Sequence, residues 1–177
     1  MNIMLSLRYL LTYRNFIFLA ILFSFIDNFG MDEGSNNNVY TVQVTFVGDA
    51  DVGKTQIINK FLINNLATEY QQTVSATFYS KKILWSNKKI DLRLWDTPGQ
   101  EKYRKIIKIF FKGSHLIVFV YAIDNKKSFD NIPKWVEEVK IQNENAKFLL
   151  VGNKCDLKKE RQVTEENAKQ YATENNM

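Results

Sequence analysis

The sequence predicts an α/β fold, a mostly parallel sheet with helices on both faces. Three observations carry that expectation. Strand-like apolar runs alternate with helix-like runs in the order β-α-β-β-α-β-α-β-α. The run His115–Ile123 is nearly continuous in apolar residues, as a strand buried on both faces should be. Three polar loops of ligand-binding type each follow a strand-like run directly, which is where open α/β sheets build their sites.

The elements follow in order. Thr41–Val47 reads as the first strand and Lys54–Leu66 as the first helix, with a loop over Ala67–Thr77. Phe78–Trp85 and Lys89–Trp95 flank the polar turn Ser86-Asn87-Lys88 and read as a hairpin. Alternation at Ile90, Leu92 and Leu94 puts one face of the second of these strands in the core. A helix is expected over Tyr103–Lys112, where Arg104, Lys108 and Lys112 recur every four residues and suggest one exposed basic face. Ser128 is a candidate cap for the next helix, within whose first turn or two Pro133 is tolerable. Phe148–Val151 is the next strand, and Thr164 caps a last helix running to about Thr173.

The first loop, Gly48-Asp49-Ala50-Asp51-Val52-Gly53-Lys54-Thr55, has two glycines flanking four residues, then lysine and a hydroxyl residue. In a strand–loop–helix setting, backbone N–H groups and the helix N-terminus point at phosphate oxygens. Lys54 would sit against the outer phosphates, and the Thr55 hydroxyl would hold Mg²⁺. In the second loop, Asp96-Thr97-Pro98-Gly99-Gln100-Glu101, Asp96 would reach Mg²⁺ through water. Gly99 would donate its N–H to the terminal phosphate, and Gln100 would orient a water. The third loop, Asn153-Lys154-Cys155-Asp156, selects the base. The Asp156 carboxylate can accept two hydrogen bonds from the N1–H and N2–H₂ edge of guanine, a pair that adenine does not offer. A buried carboxylate left unpaired there would reject ATP strongly. Asn153 would brace the loop and Lys154 would lie along the purine.

These three motifs, in this order, resemble the Ras-like small GTPases, and within them the Rab family. The resemblance spans Val39 to roughly Asn176. Thr73-Val74-Ser75-Ala76-Thr77-Phe78 is similar to the Rab first switch, and Trp95–Arg104 to the second. Phe110-Phe111-Lys112-Gly113-Ser114-His115, Ser128-Phe129-Asp130-Asn131 and Lys134-Trp135 are also Rab-like. The resemblance implies a P-loop GTPase fold, GTP and GDP as ligands with Mg²⁺, and slow intrinsic hydrolysis. It implies that Thr73 ligates Mg²⁺ and senses the terminal phosphate, so that losing that phosphate releases both switch loops. It implies that exchange factors, GTPase-activating proteins and effectors read the switches. Phe78, Trp95 and Phe110 would form the cluster that effectors read, core packing being the alternative. The implied role is regulation of vesicle traffic, in the cytoplasm or on the cytosolic face of an endomembrane.

This sequence departs from the family pattern at three positions. Asp51 stands where glycine is frequent and would place a like charge near phosphate. Pro98 stands where alanine is usual and would restrict Thr97, setting Gln100 off-line. Ala122 stands where Rab sequences usually have aspartate. A hydrolysis-deficient nucleotide-binding or scaffold protein is therefore the alternative reading.

At 177 residues the chain has room for one domain with a sizeable core. A net charge of +5, dispersed along the sequence, does not point to nucleic acid. The single cysteine, Cys155, cannot form an intramolecular disulfide or a zinc site and fits a reducing compartment. The single histidine, His115, has no counterpart in this phosphoryl-transfer machinery. Residues 1–38 are expected to lie outside the fold. Phe16–Ile26 is apolar except for Ser24, behind Arg8 and Arg14, and a polar stretch runs from Met31 to Asn38. The preferred reading is an upstream extension absent from the working protein. A cytosol-facing membrane anchor and a cleaved signal are the other two. Residues 39–177 would then be a Rab-like domain incomplete at its C-terminus. It would lack the family's final strand, a guanine-contacting loop, the last helix and the prenylated cysteines, which leaves membrane association open.

Overall fold

The computed structural model describes residues 39–63 and 75–177. The expected extension over residues 1–38, most of the first switch loop and Thr73 lie outside these residues. In chain order the elements are β1 (Val39–Val47), α1 (Lys54–Ile63), β2 (Thr77–Trp85), β3 (Lys88–Asp96), α2 (Arg104–Ile107), β4 (Leu116–Ala122), α3 (Lys126–Asp130), α4 (Ile132–Gln142), β5 (Lys147–Asn153) and α5 (Glu165–Glu174). The five strands form one sheet in the order β2-β3-β1-β4-β5. Only the β2–β3 pair is antiparallel. The expected mostly parallel α/β fold is what forms.

The core has two layers because the strands alternate. Val42, Val44 and Phe46 of β1, Ile90, Leu92 and Leu94 of β3, and Leu116, Val118 and Val120 of β4 pack with Ile58 and Phe61 of α1. On the other face Ile117, Phe119 and Tyr121 of β4 meet Ile107, Phe111, and Ile132, Trp135, Val136 and Val139 of α4. All seven residues of β4 are buried, as its continuous apolar run requires. Each large apolar side chain removed from water there contributes roughly 1.5–3 kcal/mol.

The β2–β3 turn is tighter than expected. Only Ser86 and Asn87 lie between the strands, at φ 46° and 61°. Two consecutive positive φ values match the twist of a right-handed hairpin, and asparagine tolerates them.

Three local expectations are corrected. No single helix spans Tyr103–Lys112. Glu101–Tyr103 and Lys108–Phe110 are 3₁₀ turns on either side of the four-residue α2. This segment has no side-chain cap, and its last turn closes by Phe111 N–H donating to Lys108 O at 3.2 Å. Without a cap, and with Ile106, Ile107 and Ile109 crowding the preceding turns, the ladder tightens. The expected basic face is also interrupted, since Lys108 is half-buried. The cap of α3 is Asn125, whose side-chain oxygen accepts from Ser128 N–H at 3.2 Å. Ser128 lies one turn inside, buried. Its hydroxyl accepts from Ala122 N–H at 3.0 Å and donates to Asn125 O at 2.7 Å. Ala122 thus ends β4 in a buried turn. Pro133 falls in the first turn of α4, and Thr164 caps α5 by accepting from Asn167 N–H.

His115 works as a strand connector. Its Nδ1 accepts from Gln43 N–H at 2.9 Å, and burial pushes its pKa below the ordinary value. The neutral ring is required, because protonated Nδ1 cannot accept. A depressed folded-state pKa means the unfolded chain takes up a proton first as pH falls below about 6.5. Stability from this group is therefore full above that pH and is lost as pH drops through it. Urea denaturation at pH 7 and pH 5 should show a smaller pH-dependent loss for His115→Asn than for the unaltered chain. Equal losses would contradict this role.

Candidate functional site

The three sequence loops converge at the C-terminal ends of β1, β3 and β5. β1 lies between β3 and β4, so the chain leaves it in opposite directions on its two sides. That switch point is where an α/β sheet opens a crevice.

The phosphate loop is shaped by backbone that few residues adopt. Gly48 has φ 148°, and a Cβ there would lie 2.2 Å from Val120 O. Gly53 has φ 91°, and a Cβ would lie 2.3 Å from Asn153 Nδ2. Asp51 sits at φ 65°, the left-handed region, which explains why glycine suits that position. Lys54 is buried, and its Nζ donates to Gly48 O at 2.8 Å and Asp49 O at 2.7 Å. Burial lowers its pKa to about 8, opposed by the carboxylates of Asp96, Asp49 and Asp51. The loop is thus drawn around one ammonium at the start of α1. Val52, a predicted binding residue, puts its side chain in the core and only its main chain at the loop.

The second loop packs directly onto the first. The Thr55 hydroxyl donates to Asp96 Oδ2 at 2.6 Å, and Asp96 is buried. Thr97 donates to Phe46 O at 2.6 Å, pinning the start of the loop to β1. A Cβ on Gly99 would lie 2.2–2.3 Å from the main chain of Asp49 and Ala50, so Gly99 touches the phosphate loop. Gln100 is half-buried at this junction, its carbonyl accepting from Tyr103 N–H. A hydroxyl and a buried carboxylate 2.6 Å apart are hard oxygen donors, the set that suits magnesium.

The third loop is tied to the first by Asn153, whose Nδ2 donates to Val52 O at 2.8 Å. Lys154 takes φ 61°, with Nζ 3.7 Å from Asp124 Oδ2. Asp156 is exposed. Rejection of adenine would therefore require the bound base itself to exclude water from this group.

One part of this site was missed by sequence reasoning. The Asp49 carboxylate accepts from Asn131 Nδ2 at 2.6 Å and from Trp135 Nε1 at 2.8 Å. Both donors belong to segments singled out as Rab-like, yet Asp49 occupies a variable position of the loop pattern and drew no attention. Beside the site, Phe78, Trp95 and Phe110 stack with centroids 5.0 and 4.6 Å apart. Phe78 is 46% exposed, so the cluster reaches the surface.

A glycine-bounded loop between β1 and α1, a hydroxyl–carboxylate pair and an asparagine-braced third loop on a mostly parallel sheet make up a P-loop fold. The model of the Ras family matches residues 43–177, and the chain belongs to that family. It is 35% identical over 134 residues to the Ras-related protein Rab11A of Lotus japonicus, covering 75% of this chain and 59% of that one. It is 37% identical over 139 residues to the GTP-binding protein ypt3 of Schizosaccharomyces pombe, covering 78% and 65%. It is 35% identical over 146 residues to human Ras-related protein Rab-3A, covering 81% and 66%. The chain thus spans about three-fifths to two-thirds of the length of these relatives.

The departure at Asp51 gives a direct test. Asp51 is exposed, and its charge acts on the Lys54 ammonium expected to meet phosphate, so Asp51→Gly should slow GDP release about three- to tenfold. Stopped-flow release of a fluorescent GDP measures it, and an unchanged rate would remove the charge argument.

Proposed function

We propose that this chain is a Rab-like guanine-nucleotide switch that binds GTP and GDP with Mg²⁺, hydrolyses GTP slowly and regulates intracellular vesicle traffic. The observation that carries the reading is the Asn153–Val52 bond, which fixes the base loop against the phosphate loop at 2.8 Å. Gly48, Asp51, Val52, Gly53, Lys54 and Thr55 would hold the phosphates, and Asn153, Lys154 and Asp156 the guanine. Thr55, Asp96 and Thr73 would hold Mg²⁺, which supplies charge neutralisation at the phosphates when bound. Gln100 would orient the attacking water, while Lys54 and the loop amides would stabilise negative charge developing on the phosphate oxygens. Gly99 and Thr73 would sense the terminal phosphate, so its loss would free both switches.

The Phe78–Trp95–Phe110 cluster, which reaches the surface at Phe78, would be read by effectors, with exchange factors and activating proteins acting on the same face. No arginine is assigned as an internal finger, and a partner's arginine typically adds about 10³–10⁵ in rate. The switch domain is taken as residues 39–177, with residues 1–38 outside it, and the working place as the cytosolic side of an endomembrane. The alternative, a nucleotide-binding protein with impaired hydrolysis, is favoured by Pro98 immediately before Gly99 and Gln100. Single-turnover hydrolysis of bound GTP tests both. Turnover should be measurable and should rise about threefold or more in Pro98→Ala as Gln100 gains freedom to align. Equal rates would remove Pro98 as the cause, and no turnover in either protein would favour the impaired alternative.

A further inference from the structure

We propose that α4 holds the phosphate loop in its binding shape through Asp49, making Asp49, Trp135 and Asn131 positioning residues for nucleotide retention. This rests on the guanine-nucleotide reading given above. Asp49 meets several partners at once. Its carboxylate takes N–H donors from Asn131 at 2.6 Å and Trp135 at 2.8 Å. Its carbonyl takes the Lys54 ammonium at 2.7 Å. Its main chain is the surface against which Gly99 is packed.

Both donors are buried. Trp135 lies in the core between α4 and the sheet, and Asn131 is 8% exposed beside it. Asn131 N–H donates to Lys127 O, which fixes the α3–α4 junction. Two convergent donors on one carboxylate set both its position and its plane. A carboxylate in a phosphate-binding loop would otherwise oppose the ligand's charge. Here it is turned toward α4, with Oδ2 bonded to Asn131 and Oδ1 to Trp135. The consequence is that the peptide carrying the Lys54-binding carbonyl is anchored from a helix about 85 residues away in sequence.

Hydrogen exchange on the full chain reads this anchor with or without nucleotide. Asp49→Ala removes the acceptor. Trp135→Phe removes one donor while keeping most of the buried volume. Exchange of the amides in residues 48–55 should rise about tenfold in either variant and no further in the double variant, with β4 and α5 amides unchanged. Release of fluorescent GDP should quicken by a similar factor. If Trp135→Phe does not fold, Asp49→Ala carries the test alone, because Asp49 is half-buried in a loop. Unchanged exchange in Asp49→Ala overturns the proposal, as do additive effects in the double variant. Failure of the unaltered chain to bind any guanine nucleotide would instead overturn the function proposed above, and the exchange result would still decide whether α4 holds the loop.

Discussion

Asp156→Ala should lower affinity for GDP by about 10²–10³-fold while leaving affinity for ADP where it was. The carboxylate would accept two hydrogen bonds from guanine, each charge-assisted and worth about 1.5–3 kcal/mol when water is excluded. Because Asp156 is exposed before binding, hydration offsets part of that gain, and the lower part of the range applies. The substitution should leave thermal stability almost unchanged, since it opens no cavity in the core. Parallel titrations of fluorescent GDP and ADP separate the two ligands. An equal loss for both would mean that the loop had collapsed, and no loss for GDP would mean that selectivity lies elsewhere.

Gly48→Ala should be the most destabilising single change in the loop. At φ 148° an L side chain is strained, and its Cβ would fall 2.2 Å from Val120 O. Val120 is fully buried in β4 and paired with Val151 of β5, so its carbonyl has nowhere to retreat. Either β4 shifts or the loop leaves its position, at a cost of about 3 kcal/mol or more. For a chain of this size that corresponds to a fall in Tm of roughly 6–12 °C. Nucleotide should no longer raise the Tm, because the displaced loop would not present its amides. Differential scanning calorimetry with and without GDP measures both effects. A Tm within 2 °C of the unaltered chain, still raised by GDP, would contradict the packing argument.

Much of the fold was legible because local and global signals agreed. β4 announced itself by seven apolar residues in a row, β3 by strict alternation, and α5 by Thr164 at its start. The phosphate loop was legible because its glycines serve backbone geometry, which the structure places at Gly48 and Gly53. What was not legible depended on partners distant in sequence or on competition between similar local signals. Asn125 and Ser128 are both capping residues, and only the buried turn after Ala122 decides which one caps. The segment after the second loop has helical spacing, but spacing does not report a missing cap. Trp135 stands out in the sequence only as part of the Rab-like pair Lys134-Trp135, and its Nε1 matters only once the fold brings Asp49 to it. The exposure of Asp156 was unreadable because its residue type is the same whether the loop is open or covered.

The central claim is that one crevice takes a guanine base at the third loop and its phosphates at the first. Isothermal titration of the full chain with GDP and with ADP, in buffer containing Mg²⁺, addresses it most directly. Saturable one-to-one heat with GDP and none with ADP at the same concentration is the predicted result. Equal heats for the two nucleotides, or none for GDP and GTP alike, would contradict it.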